Sequence, residues 1–258
     1  MTMFDPWCSK KGPAPFVQGA IGRAVSTIDS VHDATGVAVL AAMLPGAYAD
    51  TTALALIAQQ HGKPGTSKFL RDRLPTKKSA RSGDMGEILA TAYLAEEHSY
   101  TVGPSRLIDR DHQEWAMRGD DVLAARVDSH SKLHIVKAEA KSRVTLGKTT
   151  VEQAREGLHR NSELPSPHSL SQFATRLLRS ADKAIGEAVL RVQLTTGVRS
   201  DQVTHLMFLL TAGDPSVHVT ADLHGYSGTI PQLTVTLRVQ EHQKFINDAF
   251  DAAIANVP

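Results

Sequence analysis

Lys132-Leu133-His134-Ile135-Val136-Lys137-Ala138-Glu139-Ala140-Lys141 is the run on which the reading of the fold turns. Its apolar part predicts a strand, and side chains alternate along a strand. Glu139 and Lys141 therefore share one face, while Ala138 and Ala140 take the other and let a helix pack closely there. A carboxylate and an ammonium at the end of an apolar strand need partners, because neither is left alone in a core. A shorter run, Asp121 to Val127, comes just before, and Asp128-Ser129-His130-Ser131 between them predicts a turn joining two antiparallel strands. That pairing carries Asp121 towards Glu139 and Lys141.

Two carboxylates meeting at one point suit a hard divalent cation, Mg²⁺ (or Mn²⁺), which takes oxygen ligands and keeps waters for a phosphate to replace. Asp121 and Glu139 are the expected metal ligands. Lys141 is expected to stabilise charge on the phosphate or to orient the attacking water. Acid-x-Lys is a short pattern, but Glu139-Ala140-Lys141 is its single instance in this chain, and Gly119-Asp120-Asp121 opens the preceding strand. Asp120 competes with Asp121 as the ligand; Asp121 is preferred because it directly precedes the apolar strand residues. The plainer alternatives are an edge-strand salt bridge for Glu139 with Lys141, and turn chemistry for the two aspartates.

Upstream, Met85, Ile88, Leu89, Ala92 and Tyr93 recur at helical spacing and predict an amphipathic helix to about Glu97, opening after a junction at Ser82-Gly83. Glu87 lies off its main apolar stripe, facing either a site edge or solvent at a helix start. Ser99 to Arg118 predicts one strand and a loop. The first ~75 residues read as helical and irregular, with a helix from Thr52 to Gln60 capped by Asp50 or Thr51 and ended by Gly62. Lys63 to Arg81 is a basic stretch that is either a solvated linker or a contact for phosphate backbone; Lys77, Lys78 and Arg81 are its candidates for nucleic acid, joined by Arg143 and Arg155 downstream.

Downstream, Thr149-Thr150-Val151-Glu152 offers a capping box, and Ser169 with Gln172 a second one. The second opens one long helix carrying Phe173, Leu177, Ala181, Ala184, Ile185 and Ala188. Val203 to Leu210 reads as a strand buried on both faces, and Leu233 to Val239 as a half-buried strand. Phe245, Ile246, Ala249, Phe250, Ala253 and Ile254 line a last helix. The order is that of an α/β layered domain: a central mixed sheet flanked by helices, spanning 81–258, behind a mainly helical extension, 1–80.

Composition excludes several classes. A formal net charge of +1 leaves any affinity for polyanions to local clusters. Cys8 alone makes neither an internal disulfide nor a zinc cage, and the histidines lack ligand spacing. Val37 to Leu44, the longest apolar stretch, ends at Pro45-Gly46, so no membrane span or signal peptide is expected, and the location expected is cytoplasmic. Gly147-Lys148-Thr149 has the end of a phosphate loop without its first glycine, so no nucleotide cofactor is expected.

Gly119-x-Asp121 followed by Glu139-x-Lys141 resembles the PD-(D/E)xK restriction-endonuclease superfamily. Gly83-Asp84-Met85-Gly86-Glu87, Arg118-Gly119-Asp120-Asp121, Glu139-Ala140-Lys141-Ser142-Arg143 and Ser166-Pro167-His168-Ser169-Leu170 resemble, more narrowly, the HamA family of nuclease subunits in Hachiman-type anti-phage systems. The likeness covers roughly Gly83 to Leu190. It implies a restriction-endonuclease-like core, a metal-dependent deoxyribonuclease, catalytic roles for Asp121, Glu139 and Lys141, and Glu87 as the acid of the first core helix. It also implies a helicase subunit that restrains the nuclease until phage attack. A catalytically silent module that binds DNA or a partner, and a nuclease for RNA, stay open beside it.

Overall fold

The structure, a computed structural model, describes residues 1–15, 22–115 and 117–256. The quoted run forms β4 (Leu133–Ser142), and it pairs antiparallel with β3 (Val122–Val127) in the register Val122↔Ala138 to Val127↔Leu133. The turn between them is closed by Asp128, whose Oδ1 accepts the N–H groups of His130 and Lys132, both at 2.9 Å. On the other side of β4 lies β5 (Val203–Thr211), then β6 (Gln232–Arg238), both parallel to it. Parallel strands need covered faces, and here both are covered.

The first 80 residues differ from the expectation of a helical extension. β1 (Cys8–Pro15) and β2 (Arg23–Ser30) complete the sheet, and β2 runs parallel to β6 from Arg23↔Gln232 to Asp29↔Arg238. Among the described residues the strand order is β1-β2-β6-β5-β4-β3, four parallel strands with an antiparallel strand at each edge. β6 is consequently central. Its Thr234 and Thr236 are buried along with Val235 and Leu237, where a half-buried strand was expected. No break in the sheet falls near residue 80.

One face is covered by α1 (Asp33–Tyr48), α3 (Lys78–His98) and α8 (His242–Ala255), whose Leu40, Leu44, Met85, Leu89, Phe245, Ile246 and Phe250 pack on Val136, Ala138, Phe208 and Val235. α2 (Thr51–Arg73) extends this layer and is kinked at Gly62, where φ is 60°. Asp50 caps it as expected, accepting from Thr52 and Ala53 at 2.9 and 3.1 Å. α3 begins at Lys78, so the expected junction at Ser82-Gly83 lies inside a helix. Between α3 and β3 the described residues form one 3₁₀ turn, Arg106–Asp109, and one isolated bridge from Thr101 to Ala125, in place of a full strand.

The other face carries α4 (Lys148–His159), α5 (Pro167–Leu178), α6 (Lys183–Thr195) and α7 (Ser216–Gly225). α5 and α6 are a hairpin, not the single long helix predicted. Ser180 Oγ accepts the Asp182 N–H at 3.1 Å in the break, and Gly186 lets the helices approach so closely that a Cβ would lie 2.9 Å from the Ala174 carbonyl oxygen. The box expected at Thr149 is replaced by a start at Lys148 without a side-chain cap. Ser166, not Ser169, caps α5.

Trp7, fully buried, ties the N-terminal segment to this core by packing its ring, tilted by 31° and 5.5 Å between centroids, against Phe245 of α8, over Gly36 of α1. A Cβ on Gly36 would sit 2.6 Å from the Trp7 ring and 2.9 Å from Phe245. Gly36→Ala is therefore expected to cost about 1–3 kcal/mol through overpacking. Urea titration will read this as a lower midpoint with an unchanged slope.

Candidate functional site

β3 and β4 bring the acids together by register. One step beyond the Val122↔Ala138 pair, Asp121 stands against Glu139, and Asp121 Oδ2 accepts the Ala140 N–H at 3.1 Å. Lys141 Nζ donates to Glu139 Oε1 at 2.5 Å. The expected trio is thus assembled at one end of the sheet. Glu139 is almost fully buried, with 9% of its side chain exposed, whereas Asp121 and Lys141 each keep 22%.

Glu139 is covered by α4. A Cβ on Gly157 would lie 2.2 Å from the Glu139 carboxyl, so only glycine leaves room for that group under the helix. α4 is held there by Lys137, which shares the Glu139 face of β4. The buried Lys137 Nζ donates to the carbonyls of Leu158, Arg160 and Leu164 at 2.9, 2.7 and 3.1 Å and lies 3.7 Å from Asp120 Oδ1. Asp120 in turn accepts the Ser166 N–H at 2.8 Å, while its own N–H donates to Ser169 Oγ at 2.9 Å. Asp120 is thereby occupied in anchoring α5, and Asp121 is the aspartate that faces Glu139. Gly119 permits the anchor: its φ is 108°, and a Cβ there would meet Ser169 Oγ at 2.5 Å.

Glu87 reaches the same place from α3. It is gripped by Arg106, whose Nε and Nη2 donate to its two oxygens at 2.8 and 2.7 Å, and Arg106 Nη2 lies 3.5 Å from Asp121 Oδ1. Sequence reading did not single out Arg106, since it sits on a short 3₁₀ turn with no periodic signal. A buried bidentate pair of this kind is geometrically specific and strong. Among the described residues no three His, Cys, Asp or Glu side chains form a ready ligand cluster.

The electrostatics are those of a crowded acid site. Burial raises Glu139 to about 7, the Asp121 charge pushes it the same way, and Lys141 opposes both. Burial likewise raises Glu87 to about 7 against the pull of Arg106. Lys141 meets Glu139 and Arg106 meets Glu87 and Asp121, so three carboxylates share two cations. The one carboxylate in excess makes the donor set of Asp121 and Glu139 chemically compatible with a hard divalent cation.

The expected contacts to nucleic acid divide. Lys77 and Lys78 are exposed at the start of α3, and Arg143 is exposed just past β4. Arg155 is not available. It is buried, donates to Asp222 at 3.0 and 2.6 Å, and lies over the Tyr226 ring at 4.1 Å, so it is a structural pair between α4 and α7. Arg81 is similarly engaged, by the Pro75 carbonyl at 2.9 Å and by Asp251 at 2.9 Å over the ring of Phe250.

A mixed sheet with helices on both faces and an acid–acid–lysine cluster at a hairpin end is an α/β fold compatible with a nuclease-like core. The HamA family profile matches residues 28–253, nearly the whole described chain, and begins inside β2. The chain belongs to the HamA family, the Hachiman component of anti-phage defence. No curated protein matches it. Among the described residues no single helix is long and apolar enough to cross a membrane.

Because Glu139 is raised, the folded protein keeps a proton that the unfolded chain releases above the ordinary glutamate value of 4.5. Its contribution to stability is complete below 4.5 and is lost as pH rises through about 7. His205 and His242, lowered to about 4 by burial, act in the opposite direction and lose their contribution as pH falls below 6.5. Subtracting Glu139→Gln from wild type in EDTA isolates the first effect. The variant is expected to gain on the order of 1–3 kcal/mol relative to wild type between about pH 4 and pH 8, read by denaturant midpoints.

Proposed function

We propose that this protein is a metal-dependent deoxyribonuclease of anti-phage defence, held in check by a helicase partner. The observation that carries the reading is the convergence of Asp121 and Glu139 from paired strands, with Lys141 ion-paired to Glu139 at 2.5 Å. Mg²⁺ or Mn²⁺ would be held by the carboxylates of Asp121 and Glu139. When bound, such a cation supplies a Lewis acid that polarises a phosphate and a source of hydroxide near neutral pH.

The chain's own groups supply the rest. Lys141 places an ammonium beside the acids, where it meets negative charge gathering on the phosphate oxygens. Asp121 is fixed by the Ala140 N–H, so its second oxygen is presented without a search through rotamers. Gly157 and α4 keep bulk water off Glu139, which strengthens each charge interaction there. Arg106 competes with a cation for Asp121, and its grip on Glu87 keeps the third acid neutralised at rest. Lys77, Lys78 and Arg143 offer exposed charge to the phosphate backbone. A helicase partner is what the likeness to HamA-type subunits implies.

Purified protein freed of any partner is expected to degrade DNA with Mg²⁺ or Mn²⁺ and to stop in EDTA. Glu139→Ala and Lys141→Ala should each lower the rate by at least ~100-fold with circular dichroism unchanged. Intact DNA and RNA across both metals would overturn the enzymatic reading, and digestion of RNA alone would replace the substrate. Mg²⁺ should also raise the unfolding temperature more above neutral pH than near pH 5, roughly where Glu139 holds its proton, and Glu139→Gln should remove that difference.

A further inference from the structure

A cavity of about 340 Å³ opens beside the acids, between α1, α3, the 102–107 segment, the start of β3 and α5. Asp121, Glu87 and Arg106 form part of its wall; Glu139 and Lys141 do not. Part of its wall is apolar, built by Met43 and Ala47 of α1 with Ile88 and Ala92 of α3. Charged groups gather on the side towards Asp121, and further polar groups come from α5. Gln172 of α5 presents an amide that both donates and accepts, and the Nε of Arg176 is buried with no hydrogen-bond partner among the described residues. The lining thus combines apolar surface with hydrogen-bonding groups, as small-ligand sites do, and the volume is at the small end of their range of roughly 300–1,000 Å³.

Charge narrows the occupant. The lining holds three guanidiniums against four carboxylates, so a free polyanion gains no net attraction. A flat, mostly uncharged group with hydrogen-bonding edges fits better, and Arg and Gln amides are the side chains that read base edges. The cavity is also continuous with Asp121, where the reading above places the phosphodiester. We propose that it receives one nucleobase of the substrate strand, turned out of its stack, next to the phosphate to be cut. The inference rests on the phosphodiesterase reading for that placement.

A base can enter only if it is unpaired, or if the duplex yields it at the cost of unstacking. The protein should thus bind single strands and frayed ends in preference to blunt duplex. Gly46 provides the test. It lines the cavity from α1, and a Cβ there meets nothing within 4 Å, so Gly46→Phe fills the space without colliding at its root. Gln172→Ala, an exposed change, removes the amide and leaves the fold alone.

Fluorescence anisotropy with a short labelled single strand and a blunt duplex of the same length, in Mg²⁺ and a Lys141→Ala background, reads both. The Lys141→Ala protein should prefer the single strand, and adding Gly46→Phe should weaken that binding roughly tenfold while leaving duplex binding unchanged. Gln172→Ala should weaken it less, and differently for different bases. Equal affinities of the Lys141→Ala protein with and without Gly46→Phe, no effect of Gln172→Ala, or no binding of single strands at all would overturn the inference even if wild type cleaves DNA. Loss of single-strand binding in Gly46→Phe, in a protein that cleaves nothing, would keep the pocket and sink the nuclease reading instead.

Discussion

One buried ammonium organises the end of the sheet where the acids meet. Lys137 points from β4 into the layer of α4 and α5, where four oxygens meet it: three carbonyls at the end of α4 and just beyond, and the carboxylate of Asp120. Taking a lysine out of water is costly, and burial lowers its pKa, but the cost is met only when every acceptor is in place. The group therefore specifies a geometry. It sets the last turn of α4 over Glu139, holds the loop that follows, and through Asp120 draws the N-terminus of α5 to the start of β3. Lys137→Met would remove the charge and also the reason for α4 to end where it does.

From that clamp the division of labour between Asp120 and Asp121 follows. Adjacent residues project to different sides, so one aspartate is spent on the scaffold and its neighbour is left to face Glu139. Glu87 and Arg106 add a second layer from the opposite helical face. Together they give a site whose acids outnumber the cations within reach. That excess of carboxylate is what supports the proposal of a cation there.

How much of this could be read from residues alone depended on locality. The β3–β4 hairpin was legible because its alternation and its turn lie within about twenty residues, and the acid–acid–lysine cluster came with it. α8 was legible from its stripe of Phe245, Ile246, Ala249, Phe250 and Ala253. β1 was not: Cys-Ser-Lys-Lys-Gly-Pro-Ala-Pro has no strand pattern, and it is a strand only because an edge position asks for pairing on one side. The α5–α6 break was hidden because the apolar stripe continues through it. Arg155 looked like a groove residue because its partner Asp222 lies 67 positions away, and Arg106 carried no pattern until Glu87 stood opposite it.

The pairing of β2 with β6 joins residues 23–29 to residues 232–238. During synthesis β2 emerges first and must wait about two hundred residues for β6 before the middle of the sheet can close. The β3–β4 hairpin can form early, but β5, the parallel neighbour that supports β4, arrives some sixty residues later. A ribosome-bound chain thus has its acids in hand long before it has the platform that orients them. The hairpin takes its final place only once β5 and β6 have joined it.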